Sequence, residues 1–409
     1  MTKKSISSQT GIIMFYTLLT AYITFAASWV GGSNLGAEVV ATFFGDKGVD
    51  PSISEMVNYT ITVARVIANF LAAIVLVKFG MRHAAQIAIG LLCFALVAAW
   101  MPSYWFYIVA RMVMAIGGSM VMVYMNPIVV RFVSPDKKIV YSSLITASYN
   151  IGAFLIAIAF VLWPDLLRSD WRVTLSCVAL VAILTFIIWF VKAQDFETGS
   201  QASRQEEAYS YAQALKDPFV WRFAIGFSAF LILYVMSLNS IPGQLAKEFP
   251  DFFVAGYMIC AVSGGGILGT LIRLKVPVNR ERKPYLLQLG IGALVMMIAG
   301  VYSIAILHSS LLGYFFFFVT GFLIFYQYAV YLNIPHELPS MNPQKATLMF
   351  GIIWGITYGL YTILNFAWSY IYGHFGYWAS NIFYFAIPVI YLLMVMSLPE
   401  TYQKKEETV

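Results

Sequence analysis

Charge is what this chain has least of. Of its 409 residues, 25 are Lys or Arg and 19 are Asp or Glu, so 11% are charged, against about 25% in soluble domains. So few charges cannot cover a surface in water, which excludes a soluble globular protein. Cysteine and histidine are scarce as well. The three cysteines, Cys93, Cys177 and Cys260, each lie inside an apolar run. That placement excludes a disulfide framework and leaves them as small core residues. The four histidines, His83, His308, His336 and His374, are scattered over loops and segment ends. An integral-membrane enzyme needs His, Asp, Glu or Cys clustered at one depth, and neither a metal-spaced pair nor a phosphate-binding glycine loop is found. A channel is disfavoured because no filter or charged ring motif repeats. No cleavable signal peptide is expected, since the first apolar segment runs on too far and lacks a small-residue cleavage site.

Apolar sequence fills the space that charge leaves. The chain is 60% hydrophobic with a mean hydropathy of +0.78. Twelve apolar segments can be drawn. The first half holds Gly11–Gly36, Ser54–Val77, Ala84–Met101, Tyr104–Val130, Ile139–Trp163 and Val173–Val191. The second holds Phe219–Ile241, Phe252–Leu274, Tyr285–Leu307, Leu311–Pro335, Ala346–Tyr372 and Tyr377–Leu398. Each is long enough to span a bilayer, which takes roughly 20 residues. Apolar side chains on every face predict spanning helices, not barrel strands. The longest polar stretch, Ala193–Asp217, divides the segments six and six and reads as a linker with a short surface helix near Glu206–Leu215. The expected organisation is a six-helix bundle (1–192), a linker (193–217), a second six-helix bundle (218–398) and a tail (399–409). Nineteen basic residues fall on the side of the linker and both termini, and four, Lys47, Arg168, Arg172 and Lys247, on the other. Basic residues concentrate in cytoplasmic loops, so the cell inner (cytoplasmic) membrane is expected, with both termini cytoplasmic.

The remaining two basic residues lie inside apolar segments. Arg65 stands eleven residues past Ser54, roughly 16 Å deep at 1.5 Å per residue, near the bilayer midplane. Arg111 sits about two turns into the fourth segment. An arginine in hydrocarbon is unfavourable by roughly 2.5–3.5 kcal/mol on insertion scales, and no acid is expected at mid-membrane to offset it. The forked, permanently charged guanidinium suits carboxylate or phosphate geometry. An anionic substrate held by Arg65, with Arg111 either a second contact or a structural bond to the first helix, would complete such a site. The missing mid-membrane carboxylate also argues against a dedicated proton relay. Glu38 and His308, near the outer surface, are the candidates left, and Glu55 is placed at the outer rim. Aromatic and amide side chains at mid-depth are further candidates: Tyr22, Phe25 and Trp29 in the first segment, Tyr149 and Asn150 in the fifth, and Phe230 and Tyr234 in the seventh. Tyr326 and Gln327 in the tenth, and Trp354, Tyr358 and Asn365 in the eleventh, complete the set. With these as the site and the arginines structural, the cargo would be a neutral or aromatic compound such as a vitamin, nucleoside, sugar or drug. In the eighth segment the run Ser263-Gly264-Gly265-Gly266 with Gly269 fits either tight helix packing or a sliding surface.

Two six-helix halves around a linker is a repeat plan of secondary transporters, and the chain resembles the major facilitator superfamily. Arg111 followed by Ala115 and Gly118 is similar to its fourth-helix motif. Lys78, Gly80 and Arg82 are similar to its motif between the second and third helices, with Val77 where that motif has an acid. The matching loop of the second half, Arg273 to Lys283, is basic but keeps no readable copy. Asn126-Pro127, Arg131-Phe132 and Trp171 are similar to the cyanate and nitroimidazole permease group. The fifth segment reads Tyr149-Asn150-Ile151-Gly152-Ala153 and lacks the glycine-proline signature of drug:proton antiporters. The resemblance implies an all-α major facilitator fold of twelve transmembrane helices and alternating access to a small-molecule substrate. It also implies a monomer in the lipid bilayer with no cofactor, no metal and no nucleic-acid partner.

Overall fold

The computed structural model describes residues 8–45, 48–134, 136–196, 211–276, 278–339, 341 and 343–402. Residues 197–210 of the linker, with the first half of the expected surface helix, and 403–409 of the tail lie outside them, as do Lys47 and the first seven residues. The second half of that surface helix falls in the helix Tyr211–Lys216. Secondary structure among the described residues is helical throughout. Ten helices are long and apolar enough to cross a membrane, and two of these each contain two crossings. Gly80 (φ 73°) breaks the helix Met56–Leu92, and Gly376 (φ 82°) breaks Pro343–Ser397. Each is a hairpin turn in the left-handed region, where a side chain is disfavoured. Splitting at these glycines gives twelve crossings: Ser8–Asn34, 56–79, 81–99, Tyr104–Phe132, Lys138–Leu162 and Trp171–Lys192 in the first half. The second half has Pro218–Asn239, Ala255–Lys275, Arg282–Ala305, Ser310–Asn333, 343–375 and 377–397. They are called the first to twelfth helices below. With an even number of crossings, Ser8, the linker and Leu398 share one side, the linker side; the opposite one is the far side.

Short polar side chains set where these helices begin. Asp170 Oδ1 accepts from the backbone N–H groups of Arg172 and Val173 at 2.9 and 3.3 Å. Asp217 Oδ1 accepts from Phe219 at 2.8 Å, with Pro218 at the first helical position. Such caps contribute about 1 kcal/mol each. Pro127 and Pro388 lie within helices, whereas Pro242 and Pro335 open short helical turns at the ends of the seventh and tenth.

On the linker side the two halves share a device. After the sixth helix, Asp195 Oδ1 accepts from the Arg82 backbone N–H at 3.2 Å, against the Gly80 turn. It supplies from a distant part of the chain the acid that Val77 lacks. After the twelfth helix, Glu400 accepts from the backbone N–H groups of Arg282 and Lys283 at 2.9 and 3.0 Å. Burial alone would raise the Glu400 pKa, but these bonds outweigh it and hold the carboxyl below its ordinary range. Arg282 also grips Glu337 with two nitrogens, at 3.1 and 2.8 Å. The second half therefore does keep a copy of the loop anchor, which is spread over the ninth, tenth and twelfth helices.

The glycine run of the eighth helix packs on two sides. A Cβ on Gly265 would meet the Phe318 carbonyl at 2.1 Å, and one on Gly269 that of Phe322 at 2.5 Å, both in the tenth helix. Gly264 and Gly266 instead approach Phe154 and Asn150 of the first half. Without a hydrophobic drive between helices in lipid, such close approach supplies much of the association energy. Gly265→Ala is expected to destabilise the protein by about 1–3 kcal/mol through overpacking against backbone that cannot yield. Gly243→Ala, where the added Cβ would meet nothing within 4 Å, is the neutral control. Thermal unfolding of the purified protein followed by fluorescence compares the two.

Candidate functional site

Arg65 lies in the second helix with only 5% of its surface exposed, at the seam between the halves. Its Nη2 donates to the Tyr22 hydroxyl of the first helix at 3.0 Å. Three rings surround the guanidinium: Phe25 and Trp29 of the first helix at 5.5 Å each, and Tyr358 of the eleventh at 4.7 Å. Nε has no partner, and no carboxylate among the described residues pairs with the group. Each cation–π contact contributes about 0.5–2 kcal/mol, whereas removing a guanidinium from water costs several. A cage of rings with one neutral hydrogen bond leaves the charge short of compensation.

Around this cage the structure gathers most of the other candidates. Trp354 stacks on Tyr358 (5.5 Å, 19°). Tyr149 meets Trp29 edge to face at 5.7 Å and Tyr234 at 6.0 Å. Tyr234 donates to Asn150 Oδ1 at 2.8 Å, joining the seventh helix to the fifth, and Phe230 lies deeper in the second half against Tyr391 and Tyr331. Asn150 Nδ2 and both amide atoms of Asn365 make no hydrogen bond, although buried.

Three candidates stand apart. Arg111 is seated on the first helix, donating to Ser28 Oγ and to the Ser28 carbonyl at 2.8 Å each. Gly32 makes the slot: a Cβ there would come within 2.5 Å of Nη2. Gln327 accepts from Tyr391 at 2.8 Å inside the second half. Tyr326 stacks on Phe322 and lines a cavity of about 170 Å³ with Arg280 and Tyr285 on the linker side. Of the two outer candidates for proton handling, Glu38 forms an ion pair with Arg168, and His308 is exposed beside Phe252.

The seam itself is graded along its length. From the far side inward, the Tyr59 hydroxyl bonds Ser369, then Thr62 Oγ1 bonds Thr362 Oγ1 at 2.7 Å, then Arg65 meets Tyr358. On the linker side of Arg65 the same two helices flank a cavity of about 490 Å³ and still touch, since a Cβ on Gly355 would come within 3.3 Å of the Phe70 ring. Val66, Phe70, Ile352, Gly355 and Ile356 line it, with Leu215 of the short helix Tyr211–Lys216. Such a volume falls within the range of small-molecule sites.

A second polar cluster at the far end of the seam escaped the sequence reading. Glu55, placed on the rim, accepts at Oε2 from Asn58 at 2.7 Å and from Ser240 of the second half at 2.8 Å. Asn58 Oδ1 accepts from Trp29 Nε1 at 2.8 Å and Ser33 at 3.1 Å. Ser33 reaches Asn239 Oδ1 at 3.2 Å, and Asn239 donates to the Tyr149 hydroxyl at 3.4 Å. Trp29 is therefore shared between this cluster and the Arg65 cage. An acid one residue before a helix reads as a dipole cap; only its pairing across 185 residues with Ser240 reveals otherwise.

Twelve crossings, two halves meeting at a buried polar site, and matching loop anchors describe a carrier, and comparison with known proteins agrees. A family profile described as Mycoplasma MFS transporter matches residues 107–373. The chain belongs to that family of major facilitator superfamily transporters. A "Major facilitator superfamily transporter" of Mycoplasma pneumoniae is 22% identical, aligned over 79% of this chain and 76% of its own. An uncharacterized protein of Mesomycoplasma hyopneumoniae strain J is 23% identical, over 88% and 82%. Among solved structures, the xylose transporter XylE from E. coli in a partially occluded inward open conformation superposes with a TM-score of 0.75 at 13% identity. That match covers 97% of this chain and all of the other. A D-xylose-proton symporter gives 0.72 at 16% identity, over 96% and 98%. The protein is thus a multi-pass membrane transporter, not an enzyme, with a small molecule as its substrate.

Proposed function

We propose that this MFS transporter carries a small anion, organic or inorganic, bound in the Arg65 cage by alternating access. The observation that carries this is the state of Arg65: buried between the halves among neutral tyrosine hydroxyls, with a free Nε and no carboxylate partner among the described residues. Cargo bearing a carboxylate or phosphate would supply the bidentate acceptor that the cage lacks, while Tyr22, Trp29, Tyr149 and Tyr358 exclude water around it. Arg111, whose terminal nitrogens are held by Ser28 although its Nε also lacks a partner, positions the first helix and its Trp29 in this scheme. The distribution of basic residues supports the linker side as cytoplasmic, which places the hydroxyl pairs of the seam outside Arg65 and the apolar cavity inside it.

A second reading, a neutral polyhydroxylated substrate, is favoured by the unpartnered Asn150 Nδ2 and by the xylose carriers among the structural neighbours. A thermal-shift screen of the purified protein separates the two. Small carboxylates, phosphate and sulfate are one set; xylose and other neutral polyols are the other. A ligand at 100 times its Kd stabilises the folded state by about 2.7 kcal/mol, so the true class stands out as a raised unfolding temperature. Stabilisation by polyols alone overturns the anion assignment.

A further inference from the structure

We propose that Glu55 is a proton-binding site whose occupancy is coupled to closure of the far side of the transporter. The proposal does not depend on the charge of the substrate. Glu55 sits at the start of the second helix, yet Ser240 of the other half bonds it directly, so separation of the halves on this side must break that bond. In the closed form its partners are neutral donors, Asn58 and Ser240, with the Asn365 amide close by but not aligned for a full bond. No Lys, Arg or His among the described residues pairs with it. The titratable groups that face it are tyrosines: Tyr59 of its own helix, Tyr104 of the fourth and Tyr361 of the eleventh. Asp50 lies beyond, against Tyr59. Burial therefore raises the Glu55 pKa, and the hydrogen bonds from Asn58 and Ser240 offset only part of that rise.

The sign follows from linkage. With the far side open, water reaches the carboxyl and its pKa returns toward the ordinary value of about 4.3. Between that value and the raised one, only the closed form holds the proton, so closure takes up one proton and acidification favours closure. The hydrogen-bonded path from Glu55 through Asn58 to Trp29 then connects proton occupancy to the wall of the Arg65 cage.

The test uses full-length protein with Cys93, Cys177 and Cys260 replaced by Ala and spin labels on Leu166→Cys and Leu311→Cys. Both positions are exposed, one in each half at the far side. Electron–electron distance distributions are recorded from neutral to mildly acidic pH. The far-side-closed population is expected to rise severalfold on acidification in the labelled parent. In Glu55→Gln it should stay constant at the parent's low-pH level, because the amide imitates the protonated acid. Ser240→Ala removes a donor to the ionised form, so its midpoint should move to higher pH; this variant decides the matter if Glu55→Gln does not fold. A parent that does not respond to pH, a Glu55→Gln protein that titrates like the parent, or an unmoved Ser240→Ala midpoint overturns the proposal.

Discussion

Arg65→Gln is expected to abolish transport while leaving the protein at least as stable as the parent. A glutamine stops at the level of Nε, so it gives up the Tyr22 bond, and it removes the charge that an anion would meet. Truncating one partner of a buried, hydrogen-bonded charge pair costs about 2–5 kcal/mol, which corresponds to roughly 30- to 5,000-fold in affinity. Arg65→Lys keeps the charge but loses the planar fork and its stacking on Tyr358 and Trp29, so an intermediate defect is expected. Stability separates a binding arginine from a structural one. Exchanging an uncompensated buried charge for a neutral group is neutral or stabilising, whereas loss of a structural bond would lower the unfolding temperature. Uptake into reconstituted vesicles, with unfolding temperatures of the same preparations, gives both readouts. Uptake within a few-fold of the parent in Arg65→Gln would remove the cage arginine from substrate binding and leave the neutral reading standing.

The second large effect is expected at the seam. Thr62 and Thr362 touch through their hydroxyls at 2.7 Å across the two halves, so cysteines there bring their sulfurs together. Disulfides form with Cβ atoms about 3.8 Å apart. In a background without the three native cysteines, oxidation of Thr62→Cys/Thr362→Cys should stop uptake, and a reducing agent should restore it. Each single variant should be insensitive to oxidant. The bond would hold shut the stretch that must part for the site to face the far side. Full uptake by completely cross-linked protein would mean that this seam does not open during transport.

Much of the architecture was legible because lipid imposes it. Where no water can satisfy the backbone, apolar runs of sufficient length must be helices, and the twelve segments follow from that rule alone. Arg65 was legible for the same reason: a charge at mid-depth has few explanations. Glu55 was not, since its meaning depends on Ser240 arriving from the other half. The loop anchor of the second half was hidden likewise, its Arg282, Glu337 and Glu400 being far apart in sequence and joined only by packing. Arg111 shows the converse. Its spacing to small residues was visible, but the slot at Gly32 that accepts it belongs to another helix and emerges only in three dimensions.

The gradient along the seam, hydroxyl pairs toward one face and an apolar cavity toward the other, makes the two membrane faces unequal observers of one site. The cage is buried, so a solute from either side waits for an opening, but on the linker side no hydroxyl pair between these two helices has to be broken first. On the far side the hydroxyl pairs must separate first, so that opened form is the rarer one and the apparent dissociation constant there is weakened by its scarcity. Half-saturation concentrations measured on right-side-out and inverted vesicles should therefore disagree, and their ratio would report how unevenly the idle carrier divides its time.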